Sequence, residues 1–84
     1  MRMREKLVLY ADIAELIRDH RLAIGMNQEE LGKAVSLSRA SIANIELGRQ
    51  TPSLHLLVDM SRAFDVSLTD LLPAEHRGTN NGES

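Results

Sequence analysis

Arg39 and Asn44 stand five positions apart in the segment "SRASIANIEL", residues 38–47. A guanidinium and a carboxamide are suited to paired hydrogen bonds with base edges, arginine to guanine and asparagine to adenine. Ile42 and Ile45, at i and i+3, form the apolar pair that a helix would turn into a core. That leaves Arg39, Ala40, Ala43, Asn44 and Leu47 on the opposite face, with Ser41 beside them. Small side chains there let a backbone approach another surface closely. Ala40 can touch a thymine methyl but has no donor, so readout rests chiefly on Arg39 and Asn44. Gln28 lies in the first turn of the preceding helical segment, where the positive helix end favours a phosphate.

These residues need two short helices set close together. Asn27 opens the first of the pair, and Glu30 three residues later completes a capping-box pattern. That helix ends near Val35. After the connection "VSLS", Ser38 caps the next helix, which stops at Gly48. The arrangement fits a helix-turn-helix, with the second of the pair in the major groove and the first across the backbone.

The remaining elements are also helical. A first helix is expected from Tyr10 to Ile24, with Ile13, Leu16 or Ile17, and Ile24 on one face and Gly25 as its stop. Pro52 and Ser53 announce a fourth, with Leu54, Leu57, Ser61 and Phe64 on one face and Asp65 at its terminal turn. Ser67 with Asp70 opens a short fifth helix that Pro73 ends. "KLVLY" is the one strand candidate, and it reads equally as a helix start. The fold class is therefore all-α, a compact five-helix domain. Residues 1–9 form an N-terminal extension, 10–73 the helix-turn-helix domain, and 74–84 a disordered tail without a buriable side chain.

The landmarks "IRDHR", "GMNQEEL", "SRASIANIELG", "TPS" and "FDVSLTDLL" together resemble the Cro/CI-repressor-like (XRE) helix-turn-helix domains, with the module spanning Ile17 to Leu72. The resemblance implies the phage-repressor fold and DNA binding, usually as a dimer on a palindrome, with repression commoner than activation. By position it implies that Gln28 touches the DNA backbone and often the first base, and that Arg39, Ala40 and Asn44 read bases. It further implies that Ser38 and Ser41 reach phosphate or base and that Arg49 contacts phosphate. Arg21 and Glu46 match a pair tying the first helix to the end of the third. Two positions depart from the family pattern. Gly32 stands where alanine is usual and costs ~1 kcal/mol in helix propensity. Ser36 stands where glycine is usual and would have to take a left-handed conformation.

Composition sets the outer limits. With 84 residues the chain is one small domain, and with no cysteine it can form neither a disulfide nor a thiolate metal site. The N-terminus is a poor signal peptide, because Asp12 and Glu15 break its apolar run, and no run approaches the ~20 residues of a membrane span. The expected setting is cytoplasmic, in a bacterial or phage-type system, with the protein nucleoid-associated. Net charge is −2, but most basic residues precede residue 50 and the second half is acidic. His20, His55 and His76 are not at metal-ligand spacing, and the serines are better explained as caps than as nucleophiles. No enzyme, cofactor or metal is expected.

The partners expected are double-stranded DNA and a second copy of the chain. Leu56, Met60, Leu71 and Leu72 are the interface candidates, as apolar residues beyond the core stripe. Two alternatives stay open. One is the antitoxin of a toxin–antitoxin pair, which would add a protein partner. The other is a protein-interaction module without DNA affinity.

Overall fold

The computed structural model describes residues 2–74. Among them α1 runs Met3–Ala23, α2 Gln28–Val35, α3 Arg39–Glu46 and α4 Leu54–Phe64. A short 3-10 helix, Leu68–Leu71, takes the place of the expected fifth α-helix. Pro73 follows within one turn and leaves no room for a longer element. No strand occurs among the described residues, so the all-α expectation holds, with the last element shortened.

Local signals account for most of the boundaries. The Asn27 side chain accepts from the Glu30 amide at 2.7 Å while Glu30 accepts from the Asn27 amide at 2.8 Å. Ser38 Oγ accepts from Ser41 N and Ser53 Oγ from Leu56 N, each at 3.1 Å. Asp70 accepts from the Ser67 amide at 3.0 Å. Each cap satisfies an N–H that the first helical turn leaves without a partner. Asp65 closes α4 in a left-handed conformation, φ 59°, at the expected turn.

The start of α1 differs from the expectation. The helix begins at Met3, seven residues before Tyr10, and absorbs "KLVLY". It lacks the serine or aspartate that would have marked its start. Instead the Glu5 carboxylate accepts from the Arg2 amide at 3.1 Å, and Met, Arg, Glu, Lys and Leu sustain the helix by propensity.

The fully buried side chains are Ile17, Leu31, Ile42, Ile45, Met60 and Leu71, joined by Ile13, Val35, Leu57 and Phe64. Every element therefore contributes to one core. Two expected core positions are exposed: Leu54 points outward because the buried stripe of α4 runs through Leu57, Met60, Ser61 and Phe64, and Ile24 lies past the end of α1. Met60 and Leu71, expected at a subunit interface, have no exposed surface. The core closes over both within one chain, so neither can meet a second copy. Leu56 and Leu72 are half-buried and pack against the same core. The proposed tail is outside the described residues from position 75 onward, as is His76.

The α2–α3 turn is the tightest junction. Leu37 N donates to Gly32 O at 2.8 Å, and Ser36 adopts the left-handed conformation at φ 62° and ψ 42°. A Cβ added to Gly32 would lie 2.5 Å from the Leu37 carbonyl oxygen. Glycine is therefore required at this position by the close approach of the turn, which the propensity cost alone did not reveal.

Candidate nucleic-acid interface

Ile42 and Ile45 are wholly buried, and they fix which way α3 faces. Arg39 and Ala40 are exposed, and Ser41, Ala43 and Asn44 are half-exposed. The structure thus brings Arg39, Ala40 and Asn44 onto the accessible side of one helix. α3 packs on α2, α1 and the core between them, so this face is held by rigid elements rather than by a loop.

A buried network sets the orientation of α3. Arg21 Nε donates to Glu46 Oε2 at 2.7 Å and Arg21 Nη2 donates to Glu46 Oε1 at 2.9 Å, a two-pronged pair. The two side chains are 9% and 4% exposed. Arg21 Nη1 also donates to the Met26 carbonyl at 2.8 Å. Hydrogen bonding to Glu46 pushes the Arg21 pKa up, outweighing the burial that lowers it, so the guanidinium stays charged. One network therefore ties α1, the α1–α2 turn and the last turn of α3.

Gln28 joins that network. Its Nε2 donates to Glu46 Oε1 at 3.2 Å, so the side chain expected to touch DNA is also engaged inside the protein. Ser38 is similarly occupied: its Oγ caps α3 and donates to Ser41 Oγ at 3.1 Å. Of the two serines, Ser41 keeps the hydroxyl hydrogen that could reach outward. The Gln28–Glu46 bond had no signal in the sequence, because it depends on the two helix ends meeting in space.

The accessible side of α3 carries no exposed carboxylate. From Leu31 to Val58 the one acidic residue is Glu46, and it is buried against Arg21. Lys33, Arg39 and Arg49 in the same stretch are exposed. Lys33 is loosely paired with Glu29 at 3.9 Å on the surface of α2. Arg49 follows the left-handed Gly48, φ 75°, and its backbone N–H donates to Asn44 O at 2.9 Å, which holds the loop against the end of α3. Acidic residues flank this stretch: Glu29 and Glu30 lie in the first turn of α2, and Asp12, Glu15 and Asp19 line a groove between α1 and Pro73–Ala74. On α3 itself the exposed charge is positive, that of Arg39, although the chain as a whole carries −2.

The two described histidines make local contacts away from α3. The His20 ring stacks on Phe64 with centroids 6.1 Å apart, and its Nδ1 lies 2.9 Å from Leu16 O. His55 pairs with Asp59 at 3.3 Å on the surface of α4. Among the described residues no group of three or more His, Cys, Asp or Glu side chains could hold a metal ion. No helix there is long and apolar enough to cross a membrane.

Comparison with known proteins bears on the fold and family that present this site. The helix-turn-helix family model matches residues 17–71. An uncharacterized HTH-type transcriptional regulator of Archaeoglobus fulgidus is 42% identical over 55 residues, covering 66% of this chain and 79% of that protein. The crystal structure of the restriction-modification controller protein C.AhdI from Aeromonas hydrophila superposes with a TM-score of 0.72 and 25% identity, over 75% of this chain and 91% of that one. Hydroxypropylphosphonic acid epoxidase from S. wedmorenis also superposes with a TM-score of 0.72, at 23% identity over 77% of this chain and 35% of that one. That last likeness is one of fold alone.

Proposed function

The chain belongs to the helix-turn-helix family of DNA-binding transcriptional regulators, in its Cro/CI-repressor-like branch, and from that premise we propose that it is a repressor that binds palindromic operators as a homodimer. The observation that carries this reading is the exposed face of α3, with Arg39, Ala40, Ser41 and Asn44 opposite the buried Ile42 and Ile45. In this reading α3 enters the major groove, where Arg39 and Asn44 read guanine and adenine. Arg49 and the N-terminal end of α2 meet the phosphates on either side. Gln28 positions the reading helix through Glu46 and presents the rest of its carboxamide to the backbone. Repression follows from occupancy: a bound dimer excludes the transcription machinery from overlapping DNA.

Two copies are required by discrimination. One face resting on two base-reading side chains cannot separate an operator from a genome of competing sites, each correct pair being worth ~1–3 kcal/mol. A two-fold pair doubles the contacts and demands half-sites about 34 Å apart. The test is selection of binding duplexes from a random library, followed by titration against the selected full site and its single half. The expected result is an inverted repeat that binds two copies far more tightly than the half-site binds one. Equal affinity for half and full sites, with one copy on each, would overturn the palindrome and the dimer together.

A further inference from the structure

The expected interface residues offer a second copy little apolar surface: Met60 and Leu71 are core, and Leu56 and Leu72 are half-buried against it. Large exposed apolar residues occur instead at the open end of α1, where Met3, Leu7 and Val8 are 69%, 58% and 51% exposed. The helix is 21 residues long, about 31 Å, and its first buried position is Ile13. Its leading turns thus project past the core. Apolar side chains on a projecting helix have a reason to be there if something covers them.

We propose that the outer face of α1 is the surface on which a second copy of this chain docks, the two helices lying antiparallel about a two-fold axis. This deepens the homodimer reading and rests on it. The argument is charge complementarity around an apolar centre. Arg4 and Glu15 are both exposed, and neither forms an ion pair among the described residues. They are eleven residues apart, within about 20° of three full helical turns, so they share one face. Leu7, Val8 and Ala11 lie between them on that face, all exposed.

When two such helices run antiparallel, Arg4 of each meets Glu15 of the other, and Val8 of each meets Ala11 of the other. The pattern is self-complementary, as an isologous contact must be. Ala11 is small enough to let the helices approach closely, and Leu7 flanks the centre in both copies. The same face continues into a groove where Ala11, Glu15 and Arg18 meet Leu47 and Gly48 at the end of α3. Leu47 is 64% exposed there, at the level the partner's leading turn would reach. The antiparallel register also sets the basic start of one α1 beside the acidic stretch of the other, where Asp12, Glu15 and Asp19 lie.

The test is sedimentation equilibrium of the full chain with Arg4→Glu, Glu15→Arg and the two combined. Both residues are exposed, so circular dichroism should be unchanged. Each single variant replaces two attractions by two repulsions and should raise the dimer dissociation constant about tenfold. The double exchange should return it to within about threefold of wild type. The register has its own test, since the chain has no native cysteine. Val8→Cys mixed with Ala11→Cys should oxidise preferentially to the mixed cross-linked dimer. If the wild type pairs but the single variants pair equally well, or if Leu56→Glu alone abolishes pairing, this surface is overturned while the homodimer reading stands. A wild type that is monomeric in solution and binds full sites as a single copy overturns both.

Discussion

Glu46 is the residue on which the reading face depends most. It accepts from Arg21 twice and from Gln28 once, at the point where α3 ends. Glu46→Ala leaves a buried guanidinium without its counter-charge, at a cost of roughly 3–5 kcal/mol. In a domain of this size that is a fall in Tm of more than 10 °C, at about 4–8 °C per kcal/mol. Scanning calorimetry checks it, and an unchanged Tm would mean that the pair contributes nothing to the fold. Gln28→Ala removes one hydrogen bond of the network and should cost ~1 kcal/mol. The Arg21–Glu46 pair is 25 positions apart in sequence, beyond any periodic pattern, so it was legible through family likeness and not through spacing. The accessible placement of Arg39 and Asn44 was legible from the residues themselves, because Ile42 and Ile45 fixed the phase of α3.

The α2–α3 turn decides whether the two helices can sit as a helix-turn-helix needs. Gly32→Ala gains ~1 kcal/mol of helix propensity but puts a methyl 2.5 Å from the Leu37 carbonyl oxygen. Overpacking against backbone costs ~1–3 kcal/mol, so the net effect should be destabilising, and a raised Tm would contradict the geometry. Ser36→Gly relieves a left-handed φ of 62° and should stabilise by ~0.5–1 kcal/mol, read from the shift of the urea midpoint. Elements with strong local signals were legible in sequence, namely the caps at Asn27, Ser38 and Ser53 and the helix end at Asp65, while the left-handed Ser36 was legible through family likeness. The start of α1 was not, because Arg2 is no customary cap and Glu5 closes the first turn by reaching back. The stripe of α4 was misjudged at one edge. Leu54 and Met60 flank the same Leu57–Ser61–Phe64 row, and only the packing of α1 and the 3-10 helix shows which of the two is covered.

The molecule as a whole carries a net charge of −2, yet three of its exposed cations, Lys33, Arg39 and Arg49, lie in the stretch of chain that holds α3, while Asp12, Glu15 and Asp19 line a groove on α1. A dimer brings both sets of cations to one duplex. With Lys33 and Arg49 of each copy on phosphates, four such contacts give a slope of log affinity against log salt of about −4. A slope near zero would mean that the phosphates are not engaged and would favour a protein-interaction role. The account's central claim is that the outer face of α3 reads DNA sequence, and the most direct measurement is the affinity of wild type, Arg39→Ala and Asn44→Ala for the selected operator and for unrelated duplex at one salt concentration. Both variants should fold as wild type does by circular dichroism. Each should lose ~1–3 kcal/mol of operator affinity per copy. Asn44→Ala should bind unrelated duplex at wild-type strength. A folded Asn44→Ala variant that still binds the operator as tightly as wild type would contradict the claim.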